Sequence, residues 1–114
     1  MSTAPTPSEI LGGALEYLQT IGHWIRGQYF DHRDRCCVVG ALHYVAYEGN
    51  IAASARLDVE QSKRWAYRCL EDAISPGAKE DIDIEAWNDA PGRSIVEVLA
   101  VMKKAKTLAV ERGM

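Results

Sequence analysis

The chain has 114 residues, 47% of them hydrophobic and 25% charged, with a formal net charge of −3. That is enough length for one hydrophobic core without staples, and an ordinary globular composition. It excludes a membrane span, because no apolar run approaches about 18 residues, and it removes any reason to expect nucleic acid as the default partner.

The first seven residues, Met1 to Pro7, lack the basic start and apolar stretch of a signal peptide and are expected to be a disordered lead-in. Ser8 is expected to cap a first helix whose apolar face is Ile10, Leu11, Ala14, Leu15, Leu18 and Ile21, with Gly22 as its stop. Gly12 and Gly13 either weaken that helix or admit a close neighbour. From His23 to Arg35 the helical period disappears. Three large aromatics and a glycine point to a long loop with a short extended piece at Gln28 to Phe30.

A second helix is expected from Cys36 to Glu48, apolar on two sides and therefore buried or sandwiched. Gly49 and Asn50 end it, and Ile51 to Leu57 is weakly patterned. A third helix runs from Asp58, with a capping-box partner at Gln61, to Ile74, and Ser75-Pro76-Gly77 stops it. Its inward residues are Val59, Ala66, Cys69, Leu70 and Ala73. The alternation Asp81-Ile82-Asp83-Ile84-Glu85 favours a short strand. Ser94 and Glu97 form a capping box for a fourth helix with Ile95, Val98, Leu99, Met102, Ala105 and Ala109 on one face and Gly113 at its end. The whole is a mainly α, compact bundle-like domain of about four principal helices over residues 8–113, with room for a minimal β-hairpin.

Three clusters carry the candidate chemistry. Cys36 and His43 would lie on one helical face but roughly 10 Å apart, too far for a direct nucleophile–base pair. His43 is better placed against Tyr47, one turn on. A thiol enzyme would use Cys36 or Cys37, a histidine and Asp89 or Asn88. Cys36 at a helix start would have a lowered pKa, and with His43 too distant its base would come from elsewhere, His23 or His32. The cysteines and histidines His32, Cys36, Cys37, His43 and Cys69 show no paired zinc spacing, nor do Asp31, His32 and Asp34 form a recognised metal pattern, so neither a metal nor another cofactor is expected. Three cysteines, two of them adjacent, make a poor disulfide framework and fit a reducing cytosol.

The third cluster is Trp87-Asn88-Asp89-Ala90-Pro91-Gly92-Arg93-Ser94. As structure, Asp89 accepts backbone N–H bonds, Pro91-Gly92 reverses the chain and buried Trp87 anchors the turn, with Arg93 paired to Asp89 or the preceding acidic run. As a site, Trp87, Asn88, Asp89 and Arg93 would hold a polar ligand at the start of the last helix. The structural corner is the preferred reading, packed against the cysteine-containing helix. Lys103, Lys104, Lys106 and Arg112 read as a solvated, well-capped helix end.

Trp24 and Gly27, Cys37-Val38-Val39-Gly40-Ala41-Leu42, and Trp87-Asn88-Asp89 with Gly92-Arg93 together resemble a family of small uncharacterised proteins of actinobacteria and their phages. The resemblance implies a shared fold and a cytoplasmic protein, and carries no activity. Function is therefore expected to be that of a non-enzymatic accessory or protein-interaction domain, with a protein partner, a second copy of the chain being one option. A small cysteine-dependent hydrolase or transferase and a nucleic-acid-associated modulator are the alternatives.

Overall fold

A computed structural model describes residues 5–20, 24–27, 35–47, 57–76 and 82–114. Five helices occur among them: α1 (Pro7–Gln19), α2 (Val38–Tyr47), α3 (Leu57–Ile74), α4 (Ile84–Asp89) and α5 (Ile95–Glu111). The mainly helical, bundle-like architecture expected from the periodicity is the one observed. No helix among the described residues is long and apolar enough to cross a membrane.

The first helix starts earlier than its serine suggests. Thr6, not Ser8, is the N-cap: its hydroxyl accepts from Glu9 N–H at 3.2 Å and its own N–H donates to Glu9 Oε1 at 3.0 Å. Pro7 takes the first helical position, where its missing N–H costs nothing. The box also holds the Glu9 carboxyl below its ordinary value, through the Thr6 backbone N–H first and the hydroxyl second. Ile10, Leu11, Ala14, Leu15 and Leu18 are buried as the spacing requires. The helix ends at Gln19 with Thr20 as C-cap; Ile21 and Gly22 lie outside the described residues.

The paired glycines of α1 have different neighbours. A Cβ at Gly13 would stand 2.8 Å from Val45 Cγ1 on α2, so this glycine is what lets the two helices approach. At Gly12 the nearest atom is the flexible Lys106 Cε at 3.3 Å. Gly13→Ala should therefore lower stability by about 1–3 kcal/mol through overpacking. Gly12→Ala should raise it by up to about 1 kcal/mol through helix propensity. Urea unfolding followed by circular dichroism checks both, and equal effects would contradict this packing.

α2 begins at Val38 rather than Cys36. Cys36 is extended, paired in an isolated parallel bridge with Trp24, and its carbonyl accepts from Ile25 N–H at 3.0 Å. Cys37 occupies the capping place: its carbonyl accepts the first helical bond, from Ala41 N–H at 3.0 Å, and its sulfur accepts from Gly40 N–H at 3.4 Å. Cys36 and His43 thus do not share a helical face. The expected extended piece at Gln28 to Phe30, the stop at Gly49 and Asn50 and the stretch from Ile51 to Arg56 lie outside the described residues.

α3 starts at Leu57, one residue before the expected cap, so Asp58 sits inside the helix and its carboxylate accepts from the adjacent Val59 N–H at 2.9 Å. Asp58 is therefore not the N-cap that the expected box with Gln61 requires. Val59, Ala66, Cys69, Leu70 and Ala73 are all buried. The helix ends at Ile74, before Pro76, as expected.

The expected strand is instead a fourth short helix. Asp83 caps it by accepting from Ala86 N–H at 3.0 Å, and the 6 residues Ile84 to Asp89 follow as the helix. The alternation was too short to outweigh a good cap. Among the described residues no strand or hairpin occurs beyond the Trp24–Cys36 bridge. α5 follows expectation closely: the Ser94–Glu97 box caps it, Val98, Met102, Ala105 and Ala109 are buried, and Gly113 (φ +74°) closes it.

α5 packs on both α1 and α3, α2 lies across α1 and α3, and α4 docks on α2. At its far end, Arg112 reaches Asp72 at 2.8 Å and Cys69 Sγ at 3.7 Å, tying α5 to α3.

Candidate functional site

Asn88 is the one polar side chain among the described residues that is fully buried. Its Oδ1 accepts from the Trp24 indole N–H at 2.8 Å and from Val38 N–H at 3.2 Å. Its Nδ2 donates to Ile25 O at 3.2 Å and to Asp89 Oδ1 at 2.9 Å. One amide therefore joins α4, the first free N–H of α2 and the Trp24 segment. A carboxamide suits this place because it offers acceptor and donor faces together and carries no charge to desolvate.

Asp89 extends the hub. The same Oδ1 accepts from Gly27 N–H at 2.7 Å, at a glycine whose φ is +83°. Arg26 Nη1 donates to Ala90 O at 3.2 Å, a second clasp between the same two segments. Pro91 and Gly92 (φ +81°) then reverse the chain in a turn closed by Arg93 N–H to Ala90 O at 3.0 Å. The glycine supplies the positive φ that a type II turn requires at this position.

Among the described residues Arg93 pairs with Glu97 and not with Asp89; Glu80 and Asp81 of the acidic run lie outside them. Arg93 Nε donates to Trp87 O at 2.9 Å, its Nη1 meets Glu97 at 2.8 Å, and its guanidinium lies 4.2 Å from the Trp87 ring centroid. The Arg93 bond, ahead of the Ser94 N–H, holds the Glu97 carboxyl below its ordinary value. Trp87, Asn88, Asp89 and Arg93 thus form one corner in which Asn88 is buried, Trp87 and Arg93 are half-buried and Asp89 is exposed. Among the described residues no buried side-chain nitrogen or oxygen lacks a partner. Trp24 is the member of this hub that the local pattern did not reveal, although its motif stood beside the corner in the family resemblance.

The cysteines are all reduced and buried. Burial pushes the Cys37 thiol up, against the Gly40 and Val39 N–H groups, and the Asp89 and Glu85 charges push it further. The helix start therefore does not acidify this thiol. Burial likewise raises Cys69, with Arg112 opposing. His43 stands farther along α2, its ring 4.6 Å edge-on to Tyr47, as its spacing suggests. Burial, and then Lys63, lower the His43 pKa while Glu60 opposes. Among the described residues no three His, Cys, Asp or Glu side chains converge as metal ligands; Asp31, His32 and Asp34 lie outside them, as does His23.

Both raised thiols favour the neutral form in the folded chain. In the unfolded chain they ionise near pH 8.5, so their contribution to stability is complete below that and is lost as pH rises through the folded values. Stability should fall on the alkaline side, and Cys37→Ala should flatten the fall. An unchanged alkaline slope in Cys37→Ala would contradict it. A thiol-reactive disulfide reagent at neutral pH should label the native chain slowly and the denatured chain at once.

A different network joins α2 to α3. The Tyr47 hydroxyl donates to Glu60, Lys63 Nζ lies 3.1 Å from the same carboxylate, and Lys63 sits 5.0 Å and 5.8 Å from the Tyr47 and Tyr67 ring centroids. Tyr47 and Lys63 thus share Glu60 Oε2 across the α2–α3 contact.

The outer face of α3 is unlike these closed networks. An open hollow there is lined by Leu57, Glu60, Gln61, Arg64, Trp65 and Arg68. Leu57 is 86% exposed and Trp65 46%. These positions recur at helical spacing on the side opposite Val59, Ala66 and Leu70. The signal was present in the sequence as a tryptophan outside the inward set. No curated protein and no solved structure matches the chain. A family model matches residues 2–108, nearly the whole bundle, and by it the chain belongs to the family described as "Family of unknown function (DUF6197)".

Proposed function

We propose that this chain is a non-enzymatic accessory protein of the cytoplasm, in an actinobacterium or its phage, that acts by binding another protein through the outer face of α3. The observation that carries this reading is the exposed pair Leu57 and Trp65 on a hollow flanked by Arg64 and Arg68. An indole and a leucine left in water gain nothing for the fold, whereas tryptophan and arginine are the residues that most often carry binding energy at protein interfaces. The corner at Asn88 supports the same reading from the other side, since its polar groups already serve the fold. The raised thiol of Cys37 weighs against a cysteine nucleophile.

A photo-crosslinking amino acid at Gln61, compared with one at Lys104 on the exposed side of α5, tests it in the cells of origin. Covalent protein adducts from position 61 and none from 104 are expected. No adduct at 61, or equal adducts at both, would overturn the proposal.

A further inference from the structure

We infer that the partner of the α3 face is a second copy of this chain, in a two-fold antiparallel pairing of α3 with α3; this rests on the interaction reading above. The argument begins with the signs of charge along one ridge. Glu60, Arg64 and Arg68 follow at four-residue steps, so one edge of the hollow carries an acid and then two bases. Two antiparallel helices related by a two-fold axis place residues of the same edge opposite one another. With the axis at the level of Ser62, Glu60 faces the second copy's Arg64, and by symmetry Arg64 faces the second copy's Glu60.

The groups are available for that exchange. Glu60 Oε2 is taken by the Tyr47 hydroxyl and Lys63, while Oε1 has Arg64 of its own helix at a loose 3.9 Å. The Arg64 side chain is 78% exposed. A partner segment of a single charge would meet a like charge at Glu60 or at Arg64; a second copy run antiparallel meets the opposite one at both, while Arg68 keeps Glu71 and Asp72 of its own helix. The apolar groups fit the same register. Leu57 comes under the methylene stem of the second copy's Arg68, and Trp65 lies beside its Gln61. The face from Leu57 to Arg68 is only roughly 16 Å long. A contact of that size falls short of a standard interface, so the dimer should be weak, with a Kd on the order of 10 μM or above.

Sedimentation equilibrium of the full chain over a wide concentration range tests this. Average mass should rise from the 12.6 kDa chain mass toward twice that value. Arg64→Glu sets acid against acid and should weaken the pairing at least about tenfold, worth roughly 1.4 kcal/mol; Trp65→Ala should weaken it comparably. Far-ultraviolet circular dichroism establishes that each variant is folded. As a measurement independent of those variants, Gln61→Cys should join into dimers with a short bismaleimide, while Lys104→Cys should not. A chain that stays monomeric throughout, or a dimer indifferent to both substitutions, overturns the inference. A monomer in the centrifuge together with photo-adducts heavier than two chains overturns self-pairing and leaves the interaction reading standing. The absence of any adduct at position 61 removes both.

Discussion

Asn88→Leu should lower the unfolding free energy by about 3–5 kcal/mol, a large share of the roughly 5–15 kcal/mol that holds a domain of this size. Leucine is close to asparagine in shape, so the loss is of bonds rather than volume. It leaves Val38 N–H without its partner in a buried place, and the Trp24 indole N–H and Ile25 carbonyl without theirs in a half-buried one. Each such orphan costs about 1–3 kcal/mol, and some relaxation toward solvent at the Trp24 segment offsets part of the sum. Asn88→Asp should also destabilise, for a different reason. It keeps the acceptor for Trp24 and Val38 but loses the donor to Ile25 O and sets a second carboxylate against Asp89. Its deficit should shrink as pH falls, since a protonated carboxyl regains a donor; that of Asn88→Leu should not. Denaturant unfolding at several pH values separates the two. A leucine variant within about 1 kcal/mol of the parent would mean that the amide is not the hub described here.

Met102→Ala is the second large effect, with an expected loss of about 2–5 kcal/mol. Met102 is fully buried on α5, the helix that packs on both α1 and α3. Truncation removes the side chain's transfer free energy and opens a cavity that two neighbouring helices cannot both close. Met102→Leu should cost less than about 1.5 kcal/mol, because volume is nearly conserved. Thermal unfolding of the pair checks this; similar losses for alanine and leucine would place Met102 outside the tight core.

Much of this architecture was legible from local pattern. The Ser94–Glu97 box, the apolar face of α5 and the terminating Gly113 lie within a few residues of one another, and their physics is local. The inward sets of α1 and α3 were equally plain, because a 3.6-residue period over three or more turns outweighs single exceptions. The starts were less legible. Thr6 and Ser8 are both good caps, and the choice went to the threonine with glutamate three residues on and proline between them. At Cys36 and Cys37 nothing local marks the start of α2, since the apolar run crosses it unchanged.

The α4 segment shows how a weak local signal loses. Five alternating residues suit a strand only if another strand lies beside them. Asp83 capped the chain into a helix instead, and that helix docks on α2. The Trp-Asn-Asp turn was readable as a corner, but not what it held. Trp24 is 64 residues from Asn88, and no spacing rule connects them.

The sequence by itself determined the helical class, the faces that turn inward and the strongest cap, because these depend on neighbours within one or two turns. Tertiary structure alone decided where α2 begins, why asparagine stands at position 88 and which face of α3 stays uncovered. Those outcomes depend on polar groups and apolar faces that meet only after the chain has folded, when every buried donor must find its acceptor at long range. They are also what separates the corner, built around the buried Asn88 amide, from the α3 surface, whose tryptophan and leucine still face outward.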